Sequence, residues 1–122
     1  MSNSQNSKPV YDLEERTFQF AKDVRTFVKT LPRTIANIED VKQLVRSSGS
    51  VGANYREANE ALGKKDFAMR IKISRKKSKE SEYWLRLINE TNNLGNSKKA
   101  ERLINEAIEL KKIFSSILIK SK

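Results

Sequence analysis

Cysteine and histidine are both absent from the 122 residues of the chain. Their absence excludes disulfides, thiolate nucleophiles and the usual zinc and haem ligands, and it removes the commonest general base near neutral pH. No apolar run is long enough to span a bilayer, and residues 1–8 lack the apolar stretch of a signal peptide. We therefore expect a cytoplasmic protein that is not an enzyme, with no catalytic residue, no metal ligand and no cofactor.

Hydrophobic residues make up 37% of the chain and charged residues 33%, a balance close to that of chains that stay unfolded. The apolar residues nevertheless recur at three- and four-residue steps, and this period is typical of amphipathic helices. The length suits a single folding unit. We expect a flexible tail at residues 1–10 and one domain at residues 11–122.

The periodic segments predict four helices. Asp12, Glu14 and Glu15 lie in the first turn of the first helix, and Pro32 follows its end. Asn37 and Ser97 are candidate N-caps of the second and fourth helices. Because short connections between long helices favour antiparallel neighbours, the sequence predicts an all-α, antiparallel up-down-up-down four-helix bundle. The expected helices lie at about 11–30, 37–61, 66–92 and 97–119.

The second helix has an unusual centre, since residues 47–53 read Ser-Ser-Gly-Ser-Val-Gly-Ala. Each interior glycine costs about 1 kcal/mol relative to alanine. A loop that splits the helix would explain this composition, and so would a close crossing where small side chains let two backbones approach. Because the apolar stripe stays in phase from Val41 to Leu62, we favour the crossing. The inner face of the third helix is also thin at its centre, where it carries the small side chains of Ser74, Ser78 and Ser81.

The net charge of +10 is concentrated in one place, since residues 64–79 alone contribute +7. On a helical wheel the third helix carries a basic stripe that contains no acid and one aromatic residue. This basic stripe consists of Lys65, Lys72, Arg75, Lys76, Lys79, Tyr83 and Arg86. The row suits nucleic acid, because cations neutralise phosphates irrespective of sequence and an aromatic ring stacks on a base. The alternative is a solvated outer helix face, which fits less well because no acid interrupts the stripe.

Met69, Ile73 and Trp84 lie together beside the basic stripe, away from the main core face of the same helix. This apolar shoulder either widens the core or forms a subunit interface, where tryptophan is enriched. Both interpretations remain open on the sequence alone.

Asn54 and Glu57 lie next to the core stripe of the second helix, and Glu80 lies on the third. Paired carboxylates can serve acid–base or two-metal chemistry. Here lysines and arginines outnumber the acids locally, and the Glu-x-x-His spacing of di-iron bundles is missing. We interpret the three residues as structural groups that fix helix register.

Three short stretches make the chain recognisable. Residues 46–58 read Arg-Ser-Ser-Gly-Ser-Val-Gly-Ala-Asn-Tyr-Arg-Glu-Ala, residues 65–67 Lys-Asp-Phe, and residues 80–85 Glu-Ser-Glu-Tyr-Trp-Leu. They resemble the four-helix-bundle proteins encoded in intervening sequences of bacterial 23S ribosomal RNA genes, whose pattern pairs Ala-Asn-x-x-Glu-Ala with a later Glu-Thr-x-Tyr-Trp-Leu. Ser81 replaces the threonine of that pattern, and Lys77 stands where relatives often have glutamate.

The resemblance implies a cytoplasmic bacterial protein that assembles as a ring-like homo-oligomer, with a pentamer favoured. It also implies similarity to the accessory variability proteins of diversity-generating retroelements, basic barrels that associate with a reverse transcriptase and with nucleic acid. No catalytic activity is attributed to either group. By matching position, Asn54, Glu57, Glu80 and Trp84 carry the family signature and take architectural roles.

Two functions follow from these observations. The first is a non-catalytic, oligomeric nucleic-acid-binding or accessory protein that contacts RNA or DNA through the basic stripe and serves a ribosomal RNA intervening sequence or a reverse transcriptase. The second is a structural homo-oligomer whose basic face binds an acidic protein partner and no nucleic acid.

Overall fold

Four helices make up the computed structural model, which describes residues 12–94 and 98–121. α1 spans Leu13–Val28, α2 Ile35–Asn59, α3 Lys64–Thr91 and α4 Lys98–Lys120, and these two described ranges contain no strand. The predicted all-α class with four helices is therefore confirmed. The predicted tail and the expected cap at Ser97 lie outside the described residues. No helix of the described chain is long and apolar enough to cross a membrane.

α1 begins where Asp12 caps it. A carboxylate oxygen of Asp12 accepts a hydrogen bond from the backbone N–H of Glu15 at 3.2 Å, which satisfies one of the donors that a helix start leaves without a partner. Phe20, Val24 and Phe27 are each at most 3% exposed. Their spacing places them on one face, so α1 buries the face that the sequence predicts.

α2 begins earlier than predicted, because Thr34 is its N-cap. The Thr34 hydroxyl accepts a hydrogen bond from the backbone N–H of Asn37 at 3.1 Å, and Thr34 has the extended backbone that a cap needs. The assignment of Asn37 as the cap is therefore wrong. Asn37 lies buried in the first turn, where its amide donates to the backbone carbonyl of Pro32 and to the side chain of Asn92.

The small-residue centre of α2 forms a continuous helix, so the interpretation as a loop is wrong and the close crossing is confirmed. Gly52 faces α1, where an added methyl group would come within 2.8 Å of the Thr17 hydroxyl oxygen. On the other side, the Ser74 hydroxyl of α3 donates to the backbone carbonyl of Val51 at 2.9 Å. Small side chains therefore let α2 approach both of its neighbours closely.

The thin inner face of α3 consists of serines that are fully buried and hydrogen-bonded. Ser78 donates to the carbonyl of Ser74 at 2.9 Å, and Ser81 donates to the carbonyl of Lys77 at 2.8 Å. The hydroxyl oxygens of Ser81 and Ser47 lie 3.0 Å apart across the α2–α3 contact. Since every buried side-chain polar atom of the described residues has a partner, this crossing avoids the cost of unpaired polar groups.

The prediction that Leu62 continues the apolar stripe of α2 is wrong. α2 ends at Asn59, so Leu62 lies in the connection to α3 and its side chain is fully exposed. An apolar residue that continues the period by one step beyond a helix end cannot be distinguished from a core residue by its spacing.

The helices share one hydrophobic core, and their order around it fixes where the outer surfaces point. α2 packs against α1 and α3, and α4 packs against α3 and more loosely against α1, whereas α1 and α3 make no contact in the described chain. Asn37 near the start of α2 contacts Asn92 just after α3, and Asn54 near the end of α2 contacts Arg70 near the start of α3. α3 therefore lies across the core from α1, and its outer face points away from α1.

Candidate nucleic-acid interface

The charged members of the basic stripe lie on the outer face of α3. Arg75 is half-buried and the others are exposed, namely Lys65, Lys72, Lys76, Lys79 and Arg86. Ile71, Leu85 and Ile88 on the opposite face are fully buried, so the core fixes the orientation of the stripe. At 1.5 Å per residue the stripe is roughly 32 Å long.

Most cations of the basic stripe have no anionic partner within residues 12–94 and 98–121. The ion pairs found there leave out Lys65, Lys72, Arg75, Lys76 and Lys79. The exception is Arg86, whose guanidinium lies 3.6 Å from the carboxylate of Glu90, one turn further along α3. The acid-free surface therefore ends at Glu90. Unpaired cations on one face create a positive potential that attracts polyanions.

Tyr83 lies inside the stripe and is 59% exposed. Its ring packs edge-on against Trp84, with ring centroids 5.0 Å apart and planes at 85°, which is a favourable aromatic arrangement. Tyr83 lines a shallow cavity of about 320 Å³ together with Lys79, Arg86, Glu82 and Glu90. The structure thus presents an exposed, oriented aromatic ring that a base could stack on, beside two cations and two acids.

The apolar shoulder divides between the core and the surface. Trp84 and Ile73 are half-buried, and Trp84 packs against the hydrophobic core. Met69, one turn before Ile73, is 60% exposed. Trp84 therefore widens the core, while Met69 leaves an apolar surface beside the basic stripe.

Two of the three residues assigned as structural polar groups have side-chain partners. The Asn54 amide donates to the carbonyl of Ser50 at 3.0 Å and its oxygen accepts from Arg70 at 3.1 Å, which links α2 to α3. Glu80 pairs with Lys77 at 3.1 Å, so the lysine at this unusual position has its own partner. Glu57 is exposed, and its side chain has no hydrogen bond or ion pair among the described residues.

A groove of opposite charge, which the sequence patterns did not predict, lies between α1 and α4. This acidic groove has a volume of about 600 Å³ and is lined by Asp12, Glu15 and Asp23 from the α1 side and by Glu106 and Glu109 from α4. The spacing of Asp12, Glu15 and Asp23 places them on one helix face. This spacing can be read from the sequence. It indicates a groove only after α4 is known to pack beside this face of α1.

Arg16 and Glu106 form a bidentate ion pair across the acidic groove. The Arg16 Nε and Nη2 atoms donate to the two Glu106 carboxylate oxygens at 2.7 and 2.8 Å. The hydrogen bond to Glu106 raises the pKa of Arg16, and desolvation by burial opposes part of this effect. Since arginine is protonated at every accessible pH, the cation stays paired with Glu106. Glu109 lies 3.8 Å from Lys112, so Asp12, Glu15 and Asp23 are the groove acids that have no ion pair among the described residues.

The described surface offers cationic groups and no metal-binding cluster. No group of three or more acidic side chains in residues 12–94 and 98–121 is arranged to hold a metal ion. Fold and surface together define a small all-helical protein whose surface carries a cationic helix face and a separate acidic groove.

Comparisons with known proteins place this all-helical protein in a family. The family model described as 23S rRNA-intervening sequence protein matches residues 11–116, and the chain belongs to this family. The resemblance seen in the sequence motifs is therefore confirmed. The chain is also similar to the crystal structure of a protein with unknown function from the S23 ribosomal protein family of Bacteroides thetaiotaomicron. The TM-score is 0.77 and the identity 31%, with 86% of this chain and 96% of that chain covered. Among curated proteins no match is found.

Proposed function

We propose that this protein is a non-catalytic homo-oligomer that binds the sugar–phosphate backbone of RNA or DNA through the basic stripe. The observation that carries the proposal is the row of five cations on the outer face of α3 that form no ion pair within the described chain. The family name refers to 23S rRNA, which makes structured RNA the first ligand to test.

Repulsion between the cations of the stripe destabilises α3, and a bound polyanion would relieve this repulsion. Lys72, Arg75, Lys76 and Lys79 form like-charge pairs at three- and four-residue spacing. Each such pair destabilises a helix by about 0.2–0.5 kcal/mol. Phosphates bound along this face would remove the repulsion and release counterions, and Tyr83 would add stacking worth about 1–3 kcal/mol per base.

The salt dependence of binding follows from the number of free cations. Each neutralised phosphate lowers the slope of log K against log salt by about 0.9 for duplex DNA and about 0.7 for single strands. Five cations on one face predict a slope of roughly −4 to −5 on duplex DNA. Sequence preference should be weak, because phosphate contacts carry no sequence information.

The decisive variant reverses Lys72, Lys76 and Lys79 to Glu. A matched control reverses Lys22, Lys42 and Lys112, which are exposed lysines on the other helices. Each reversal removes two charges, so both variants fall from +10 to +4. Fluorescence anisotropy with a structured RNA and a duplex DNA should show loss of binding in the stripe variant and a small change in the control. Equal loss in both variants, or unchanged affinity in the stripe variant, would rule out the stripe as the binding site.

We further propose an antiparallel up-down-up-down bundle that assembles in the cytoplasm as a ring-like homo-oligomer, with a pentamer favoured. Support for the topology comes from the short connections between helices and from the contacts that join the start of α2 to the end of α3. Within the family, the protein would serve an rRNA intervening sequence or act beside a reverse transcriptase. Multi-angle light scattering tests the subunit number, and the neighbouring genes distinguish the two roles.

A second candidate is a structural homo-oligomer whose basic face binds an acidic protein. The exposed Met69 beside the half-buried Ile73 and Trp84 favours it, since apolar surface beside cations is typical of protein interfaces. A Met69→Asp variant should then lose self-association while keeping its helicity. Stable oligomers with no RNA or DNA binding near physiological salt would favour this candidate over the first.

A further inference from the structure

The acidic groove between α1 and α4 carries charge that the chain does not neutralise internally. Five carboxylates line it, and the two arginines of the lining, Arg16 and Arg102, leave a net charge of −3 on a chain of +10. Arg16 is already paired with Glu106, and Lys112 lies 3.8 Å from the Glu109 carboxylate. The acids of the groove without an ion pair in the described residues are therefore Asp12, Glu15 and Asp23. Asp23 accepts a hydrogen bond only from the neutral amide of Gln19, at 2.8 Å. An anionic surface therefore remains open on a strongly cationic protein.

The charge complement of this groove exists in the same chain but does not pair with it. The basic stripe lies on the outer face of α3, and α3 is separated from α1 by the core, because α1 packs against α2 and α4 only. α4 lines the groove and packs against α3, yet no ion pair in the described residues joins a cation of the stripe to an acid of the groove. Both surfaces are therefore available for contact between molecules.

We propose that the acidic groove of one copy binds the basic stripe of a second copy. This inference rests on the self-association proposed above and does not require nucleic acid to bind. The dimensions agree: Asp12 to Asp23 spans roughly 17 Å along α1, which is about half the length of the stripe. Charges of opposite sign fix the register and orientation of such a contact, and the apolar shoulder beside the stripe adds apolar surface next to it.

A contact between two different surfaces has a consequence for assembly. Each copy in a pair keeps one free groove and one free stripe, so the contact repeats head to tail and either closes into a ring or extends. The groove–stripe contact therefore supplies a physical basis for the ring that the family resemblance implies. It covers about half of each stripe and leaves the rest open to a polyanion.

Two charge-reversal variants test the contact. The groove variant carries Glu15→Lys and Asp23→Lys, and the stripe variant carries Lys72→Glu, Lys76→Glu and Lys79→Glu; all five residues are exposed. The groove lining changes from −3 to +1 in the groove variant, so both of its surfaces are basic. In the stripe variant the four stripe positions from Lys72 to Lys79 change from +4 to −2, so this part of the stripe and the groove are both acidic. Sedimentation velocity at low salt should show that each variant alone self-associates at least about tenfold more weakly than the natural chain.

The equimolar mixture of the two variants gives the sharpest result. Every basic surface then faces an acidic one on the other variant, so mixed assemblies should regain the size of the natural oligomer. As a control for the groove variant, Glu39→Lys with Glu60→Lys makes the same charge change at exposed positions outside the groove. This control should assemble normally. Circular dichroism verifies that each variant keeps its helicity.

The possible failures are distinguishable. If the natural chain is monomeric at all concentrations, both this inference and the proposed self-association fail. If the natural chain forms oligomers but the groove variant does so equally well, or the mixture does not restore assembly, self-association stands and the groove–stripe contact is wrong. Binding of RNA by the groove variant tests the nucleic-acid proposal separately, because its basic stripe is unchanged.

Discussion

The close crossing of α1 and α2 depends on Gly52, and replacing this residue with alanine tests how rigid the crossing is. The added methyl carbon would lie 2.8 Å from the Thr17 hydroxyl oxygen and 3.1 Å from the Thr17 β-carbon. Thr17 is fully buried, and its hydroxyl donates to the carbonyls of Leu13 and Glu14 at 2.9 and 3.0 Å. The side chain that blocks the methyl group is therefore held in place.

Two opposing terms set the magnitude for Gly52→Ala. Alanine favours a helix interior over glycine by about 1 kcal/mol, which stabilises the variant. Inserting a carbon into a packed contact costs typically about 1–3 kcal/mol, and the fixed hydroxyl of Thr17 places this site in the upper part of that range. We expect a net destabilisation of about 1–2 kcal/mol.

Gly49→Ala is the matched control, three residues away in the same helix. Its methyl group would meet only the end of the Arg25 side chain at 3.3 Å, which is a flexible surface group. The propensity gain then dominates, and we expect stabilisation by about 0.5–1 kcal/mol. The two alanine variants should therefore differ by about 1.5–3 kcal/mol, or roughly 10 °C in melting temperature.

Urea unfolding followed by far-UV circular dichroism measures the free energy of unfolding of both variants. We expect the slope of this free energy against urea concentration to stay unchanged. Thr17→Ala in the Gly52→Ala background should recover part of the loss, because it removes the closest atom. A Gly52→Ala variant as stable as the natural chain would show that α1 shifts easily and would refute the close crossing as a rigid contact. Equal losses in both alanine variants would refute the role of Thr17.

Three further substitutions probe other contacts by the same unfolding measurement. Arg16→Leu removes the bidentate pair and leaves Glu106 without its partner, so we expect the free energy of unfolding to fall by about 1–2 kcal/mol. This loss should be largely independent of pH near neutrality, because the raised pKa of Arg16 keeps it charged in the natural chain. Ser81→Leu overfills the α2–α3 crossing and should cost at least about 2 kcal/mol, whereas Ser81→Ala should cost less than about 1 kcal/mol. Asn37→Ala leaves the Asn92 amide without its reciprocal bond and should cost about 1–3 kcal/mol; a smaller effect than that of Ser81→Ala would contradict the importance of this amide pair.

The sequence predicts the number and order of the helices because apolar spacing reports directly which face is buried. It predicts helix ends less well, because several residue types near each end satisfy the same rule. Thr34 and Asn37 are both good capping residues, and only the backbone conformation shows that Thr34 takes the role. Leu62 continued the apolar period although the helix had ended.

The candidate interface, too, could be predicted from the sequence only in part. The basic stripe belongs to one helix, so a helical wheel is enough to find it, and the exposed positions of Lys72 and Lys76 agree with that wheel. The acidic groove is built from two helices far apart in sequence, and its lining residues meet only after α4 packs beside α1. Arg16 and Glu106, which are 90 residues apart, carry no local signal of their pairing.

The structure of α3 explains how one helix can carry both a thin core face and a strongly charged outer face. Buried serines bring its backbone close to α2, and their hydroxyls bond to backbone carbonyls, which fixes the helix without large side chains at its centre. Apolar burial is concentrated in larger residues towards the ends, such as Ile71, Leu85 and Ile88. Because none of these contacts uses the outer face, we expect charge reversal there to alter the proposed ligand and subunit contacts with little effect on the fold. Conversely, we expect enlarging Ser74 or Ser78 to destabilise the protein with its surface charge unchanged, so the two classes of variant separate binding from stability.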